Sequence, residues 1–265
     1  TAFFFKPSAS STRYCAPHCW HANSPTSARA KSRSRSDRRS QPANSTISIE
    51  EKPSQLPELP EGASQNRSNQ FQAEVDALPE SCRVLSKGDF SVYVTSAQQI
   101  PTLLPEIGRL RQRTFRQVGE GSGSDTDLDR FDDYYLHAFA WDHAASAVVG
   151  AYRLGQTDKI LATHGAKVLY TSTLFKFEPD FLRRLDPALE LGRSFTCSRY
   201  QKKHSSLAII WKGILRWVAR DNPHYKTFFG PVSISQEYNA LSKNLIVQYL
   251  RRKLSNPEVS AFVKP

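Results

Sequence analysis

The sequence contains no methionine and only four cysteines in 265 residues. Methionine is missing even from position 1, so Thr1 is not expected to be the start of translation, and the chain reads as a processed or partial product. Cys15, Cys19, Cys82 and Cys197 are too irregularly spaced for a disulfide framework and suit a reducing compartment. Cys15-Ala-Pro-His-Cys19-Trp-His21 has the residue types of a zinc site, but no second ligand pair follows at finger-like spacing, so no metal is expected. No apolar run reaches the roughly 18 residues that a membrane-spanning helix needs. The glycines of residues 119–124 follow no strand and end in no Gly-Lys-Ser/Thr, so they read as a flexible loop rather than a phosphate cradle. Residues 125–133 are acidic but lack the glycine and the closing glutamate of a calcium loop. They are expected to enter a short helix through Tyr134, Tyr135 and His137.

Acidic residues are also in deficit. Lys and Arg total 36 against 25 Asp and Glu, a net charge of +11. Residues 1–80 hold only 10 of those cations against 8 acids, so most of the excess lies in residues 81–265. A basic folded region implies an acidic partner: nucleic acid, anionic lipid, a phosphorylated cofactor or an acidic carrier protein.

Residues 1–80 are rich in Ser, Arg, Pro and Asn and cannot bury enough apolar area to offset the entropy of ordering. They are expected to be a disordered extension, with a targeting role for the basic first forty residues left open. Order is expected from about Cys82. Phe90-Ser-Val-Tyr-Val94 alternates as a strand, and Ile100, Leu103, Leu104, Ile107 and Leu110 form a helical stripe. Phe139 to Asp142 and Val148 to Leu154 read as a hairpin, residues 157–186 as a less regular stretch, and residues 226–233 as a further strand. Tyr238, Leu241, Leu245 and Tyr249 mark a last helix. The expected fold is a mixed α/β domain over 81–265 with a sheet flanked by helices, in the order β–α–α–β–β–β–α–β–α.

The centre of the pattern is Ala188-Leu-Glu-Leu-Gly-Arg-Ser-Phe-Thr-Cys197, a strand that places Glu190 at a fixed position. It feeds a helix through Leu207, Ile210, Trp211, Ile214 and Val218, with Lys212, Arg216 and Arg220 on the opposite face. A helix N-terminus beside such a strand can hold a phosphate. Lys202, Lys203 and His204 precede it, and either meet that phosphate or form a solvated charge run. Cys197 reads as a structural thiol.

Four motifs in this order resemble those of GNAT-fold acyltransferases, in the branch of acyl-homoserine-lactone synthases and ornithine-lipid (hemolysin-like) N-acyltransferases. They are Arg111-Gln-Arg-Thr-Phe115, Asp129-Arg-Phe-Asp132, Arg153-Leu154 with Thr157, and Glu190-Leu-Gly-Arg193. The lactone synthases carry a tryptophan shortly after the Phe; Gly121 lies in that region here, which favours the ornithine-lipid branch. The resemblance covers about residues 82–265, and chains of this branch often continue further. It implies transfer of a fatty acyl group from acyl carrier protein, or from coenzyme A, to the amine of an amino acid such as ornithine, with no permanently bound cofactor. It further implies Glu190 and Arg193 as catalytic residues and Arg111, Phe115, Asp129, Asp132 and Arg153 as substrate-binding. Lys202, Lys203, His204, Lys212 and Arg216 would meet the donor. The protein is then expected in the cytoplasm, with peripheral contact to the inner membrane face. A lactone synthase, a nucleic-acid-binding protein using the basic helix face, and a non-catalytic membrane-surface protein are the rival readings, and nucleic acid is not the expected partner.

Overall fold

A computed structural model describes residues 2–5, 61–164, 168–185, 187–201, 206–234, 238–254 and 260–264. Its strands are β1 (Ala2–Phe5), β2 (Arg83–Lys87), β3 (Phe90–Ser96), β4 (Leu136–Asp142), β5 (Ala147–Gln156), β6 (Lys176–Phe177), β7 (Ala188–Thr196), β8 (Thr227–Pro231) and β9 (Val263–Lys264). The helices are α1 (Glu61–Asp76), α2 (Leu103–Arg116), α3 (Thr157–His164), α4 (Pro179–Leu185), α5 (Ser198–Gln201), α6 (Ser206–Asp221) and α7 (Ala240–Leu254). Seven strands form one sheet in the order β1-β8-β7-β5-β4-β3-β2, while β6 and β9 pair separately. This is the expected mixed sheet flanked by helices.

Alternation along the strands sends successive side chains to opposite faces. On one face Tyr93 stacks on Phe139, with ring centroids 5.4 Å apart, and the Trp141 indole N–H donates to Gln72 of α1 at 3.2 Å. On the other face α6 lies so close that a Cβ on Gly213 would come 2.5 Å from Val92 Cγ1. Trp211 of α6 packs edge-on against Tyr152 of β5 on that side. Consequently Arg153, the next residue along β5, faces α2.

The parallel pairing of β7 with β8 is brief. It runs from Ala188 opposite Thr227 to Glu190 opposite Phe229 and stops there. Beyond Glu190, β7 continues to pair with β5 as far as Thr196, with a register shift between Ala151 and Arg153 that inserts one extra residue into β7. Arg193 sits in that bulge with φ 50°.

Several sequence expectations are corrected. Helix α1 lies before Cys82, where order was expected to start: it is mostly polar, yet Val75 is buried in the core and Phe71 packs on it. Residues 1 and 6–60, including the cysteine–histidine stretch, lie outside the described residues. His137 belongs to β4, not to a helix, because the 130–134 turn delivers the chain directly into the sheet. In α6 the apolar face is rotated: Ile209, Gly213 and Trp217 are buried with Ile210, Ile214 and Val218, and Leu207 is exposed. Loop 119–124 is tethered, since Gln112 holds Ser122 N–H and the Ser124 carbonyl. The stripe on α7 is outward, with Tyr238, Leu241, Leu245 and Tyr249 all exposed and no residue of the helix buried.

Helix α1 contributes a cap as well as apolar area. Glu74 accepts hydrogen bonds from the backbone N–H groups of Thr102, at 2.8 Å, and Leu103, at 2.6 Å, where α2 begins. Those donors have no partner inside the helix. Glu74→Ala is expected to lower stability by about 1–2 kcal/mol. A urea unfolding midpoint identical to that of the unsubstituted protein would remove α1 from the folding unit.

Candidate active site

Three arginines and three aspartates from four separate segments meet under α2. Arg111 lies on α2, Arg153 on β5 and Arg193 on β7, while Asp127, Asp129 and Asp132 occupy the connection between α2 and β4. Arg111 spends its whole fork. Its Nε donates to Asp127 Oδ2 at 2.7 Å, Nη1 and Nη2 to the two oxygens of Asp132 at 3.2 and 3.0 Å, and Nη2 also to the Asp127 carbonyl. The Nη1 of Arg153 reaches Asp129 Oδ1 at 2.5 Å and Asp132 Oδ2 at 3.1 Å. Arg193 is held more loosely, 3.4 Å from Asp127 and 3.3 Å from Asp129.

Burial of such a cluster is tolerable only because each charge is paired. Burial alone would raise the pKa of Asp132; hydrogen bonding to Arg111 and the charges of Arg111 and Arg153 outweigh that and hold it below its ordinary value. Arg153 is opposed by its own burial and favoured by Asp132 and Asp129, and the net effect keeps it a firm cation. His137 donates its Nε2–H to the Asp132 carbonyl at 2.9 Å, and burial pushes its pKa down, so the imidazole is neutral at physiological pH.

Glu190 stands next to this cluster and is 1% exposed. Its strand is covered on both faces here, so the alternation in the sequence, which suggested a half-buried strand, understated its burial. Glu190 Oε2 accepts a short hydrogen bond from the Tyr135 hydroxyl, and Oε1 accepts the Thr171 N–H at 2.6 Å. The Tyr135 oxygen in turn accepts the Tyr170 N–H at 3.0 Å. Desolvation raises the pKa of Glu190 against the lowering effect of those hydrogen bonds. Tyr135 is also shifted up, by burial and by the neighbouring carboxylate. It can lie here because position 155 is glycine: a Cβ there would come 2.5 Å from the Tyr135 ring.

The predicted residues Glu190, Arg193, Asp129, Asp132, Arg153 and Arg111 are therefore assembled in one place. Phe115 is not part of it; it packs against the hydrophobic core from α2. Lys212 and Arg216 are exposed on the outer face of α6, on the far side of the sheet from the cluster, and Arg220 pairs with its neighbour Asp221. Lys202, Lys203 and His204 lie outside the described residues. Cys197 is buried, its thiol donating to the Val148 carbonyl at 3.3 Å and its pKa pushed up to about 11, chiefly by desolvation. Sequence reasoning overlooked Asp127, Tyr135, Tyr170 and Thr171. Asp127 and Tyr135 belong to the acidic run 125–133 and the aromatic residues after it, which stood out in the sequence; Tyr170 and Thr171 come from the less regular stretch 157–186.

The sequence that carries this site is similar to known proteins. Residues 110–212, which hold the second half of α2, the charged connection, β4, β5, β7 and the start of α6, match the family model of the acetyltransferase (GNAT) domain. The chain is also similar to two proteins named glycine N(alpha)-acyltransferase. One, from Bacteroides thetaiotaomicron, is 32% identical over 187 residues, covering 66% of this chain and 55% of that protein. The other, from Phocaeicola vulgatus, is 30% identical over 187 residues, covering 66% of this chain and 57% of that protein. The chain thus spans little more than half the length of these curated relatives. No helix among the described residues is long and apolar enough to cross a membrane.

Asp132 ties two arginines, so Asp132→Asn is expected to cost about 3–5 kcal/mol at neutral pH. The sign of its pH dependence follows from a folded pKa below the unfolded value. The stabilisation is complete above the unfolded pKa, about 4, and is lost as pH falls through the folded pKa. Denaturant titrations of both proteins should show a constant gap from pH 6 to 8 that narrows below about pH 4. A gap independent of pH down to the acid limit would show that Asp132 acts through shape and not charge.

Proposed function

We propose that the protein transfers a fatty acyl group from a thioester to the amine of an amino acid, with glycine as the first acceptor to test. The observation that carries this reading is the Glu190–Tyr135 pair set beside a paired-charge cluster, at the point where β7 parts from β8. A parted strand edge can receive an extended thioester arm, and backbone N–H groups there can polarise its carbonyl. The relatives' names point to glycine as acceptor. The motif resemblance points to ornithine, which differs by one more cation on its side chain.

In the proposed reaction the acceptor ammonium gives one proton to the Tyr135 oxygen as Tyr135 passes its own to Glu190. The freed amine attacks the thioester carbon, the C–S bond breaks, and the amine's second proton leaves with the thiolate to give amide and thiol. Glu190 suits this role because burial raises its pKa, which makes its carboxylate a stronger base. Arg193 and the aspartates position the acceptor. The donor is acyl carrier protein or coenzyme A. Lys212 and Arg216 add positive charge that would draw an acidic carrier, and Lys202, Lys203 and His204 remain the proposed phosphate contacts.

Helix α7 supports placement at a membrane surface. It carries Lys243, Arg251, Arg252 and Lys253 and no acid, and it turns Leu241, Leu245 and Tyr249 outward on successive turns. An apolar stripe with cations alone fits an anionic lipid surface, where the acyl product would also reside. Replacing Leu241 and Leu245 by Glu is expected to abolish sedimentation with phosphatidylglycerol vesicles. Undiminished sedimentation, or none by the unsubstituted protein, would remove the membrane from this reading.

The reaction itself is tested by mass spectrometry of products from acyl carrier protein or coenzyme A thioesters with glycine and with ornithine. Glu190→Gln is expected to lower kcat by about 10²–10⁴-fold, with partial recovery at higher pH where solvent removes the proton. Tyr135→Phe, which breaks the relay and keeps the ring, should lower it too. Transfer by Glu190→Gln at the unsubstituted rate at neutral pH would rule out Glu190 as base.

A further inference from the structure

The charged cluster is not closed. Two guanidinium atoms in it, Arg153 Nη2 and Arg193 Nε, are buried without any hydrogen-bond partner. Arg153 is 1% exposed, so water from the surface does not reach it easily. Leaving a buried cationic donor unpaired costs more than leaving a neutral one, and native structures rarely do so without a reason. Both guanidinium groups lie over the same ring: Tyr170 has its centroid 5.2 Å from Arg153 Cζ and 4.9 Å from Arg193 Cζ. The unused donors therefore belong to two cations that share the Tyr170 ring and the Asp129 carboxylate.

The cluster is not equally buried throughout. Asp129 and Arg193 are its most open members, at 26% and 23% exposure, and their 3.3 Å contact is among the longest in it. An anion alone entering here would leave Asp129 facing one more negative charge. A cation alone would leave the orphaned arginine donors unmet. A zwitterion meets both conditions and adds no net charge to a buried site.

We infer that Arg153 Nη2 and Arg193 Nε are the receptor for the α-carboxylate of the acceptor amino acid, and that Asp129 receives its ammonium. Resting on the amino-acid acyl-transfer reading, this inference deepens it by naming what the site recognises: a free carboxylate and an ammonium on one small molecule. The Tyr170 ring lies against both guanidinium groups and helps to hold them in place. The carboxylate end would thus be anchored by arginines while the amine end lies toward Asp129 and the Tyr135–Glu190 pair. Specificity follows from the chemistry. Amines without a carboxylate, and amino acids whose carboxylate is masked as an amide, leave the arginine donors as bare as before. The product keeps its carboxylate free, so an acylated amino acid emerges as an anionic amphiphile.

The test is binding without chemistry. Titrations of the full chain with carbon-13-labelled glycine, glycinamide, ethylamine and acetate are read by NMR, with and without free coenzyme A. Glycine is expected to bind about 100-fold more tightly than glycinamide or ethylamine, the size expected for losing charge-assisted hydrogen bonds in a buried site. Acetate should also bind less tightly than glycine, because Asp129 then opposes it. Arg193→Gln, at the open edge, should reduce glycine affinity while leaving the weak glycinamide affinity unchanged, a split that a merely structural role would not give. Equal affinities for glycine and glycinamide, or no glycine binding under either condition, overturn the inference. Product formation from the thioester assay stands apart from these titrations: acylation of glycinamide as readily as glycine would refute carboxylate recognition and leave acyl transfer standing.

Discussion

The pairing of Arg111 and Arg153 with Asp132 is the constraint on which the rest of this structure depends. Two cations and a carboxylate, each almost fully enclosed, cannot be left uncompensated in a protein interior. Satisfying them fixes the position of α2 over β5 and pins the connection between α2 and β4 to both. That connection then delivers Tyr135 to Gly155 and to Glu190. What looks in sequence like a charged loop is, in the fold, the clasp between a helix and the sheet.

The same arrangement separates two jobs among like residues. Arg111 is saturated by protein acceptors, whereas Arg153 and Arg193 each retain a donor. Among the aspartates, Asp127 and Asp132 are enclosed and Asp129 is partly open. Arg111, Asp127, Asp132 and Arg153 are the enclosed members, and Arg193 and Asp129 the open ones. Glu190 belongs to neither group: its neighbours are a phenol and a backbone N–H, not a cation in direct contact, which is why burial dominates its behaviour.

Much of this was legible in the sequence where local periodicity decides the outcome. The strands around Tyr93, Phe139, Tyr152 and Leu189 and the helix around Ile107 follow from alternation or helical spacing, and the four motifs named six of the assembled charged residues. Legibility fails where contact depends on distant partners. Helix α1 has little apolar content, and Phe71 and Val75 gain their meaning only against the core they meet. Tyr170 and Thr171 have no pattern of their own and are placed by Glu190 and the two arginines. On α7 the stripe was legible, but whether it faces protein or solvent is not a property of spacing.

The bulge in β7 has one more consequence. Arg193 occupies a left-handed backbone conformation that side-chain-bearing residues adopt at a cost of about 1 kcal/mol or more. Glycine or asparagine would suit that backbone better, and selection for stability alone would favour either. An arginine there means that conformational ease and positive charge compete for a single position, and the charge has prevailed. The strand carries this strain in its native state, at the same bulge where Arg193 meets Asp127 and Asp129.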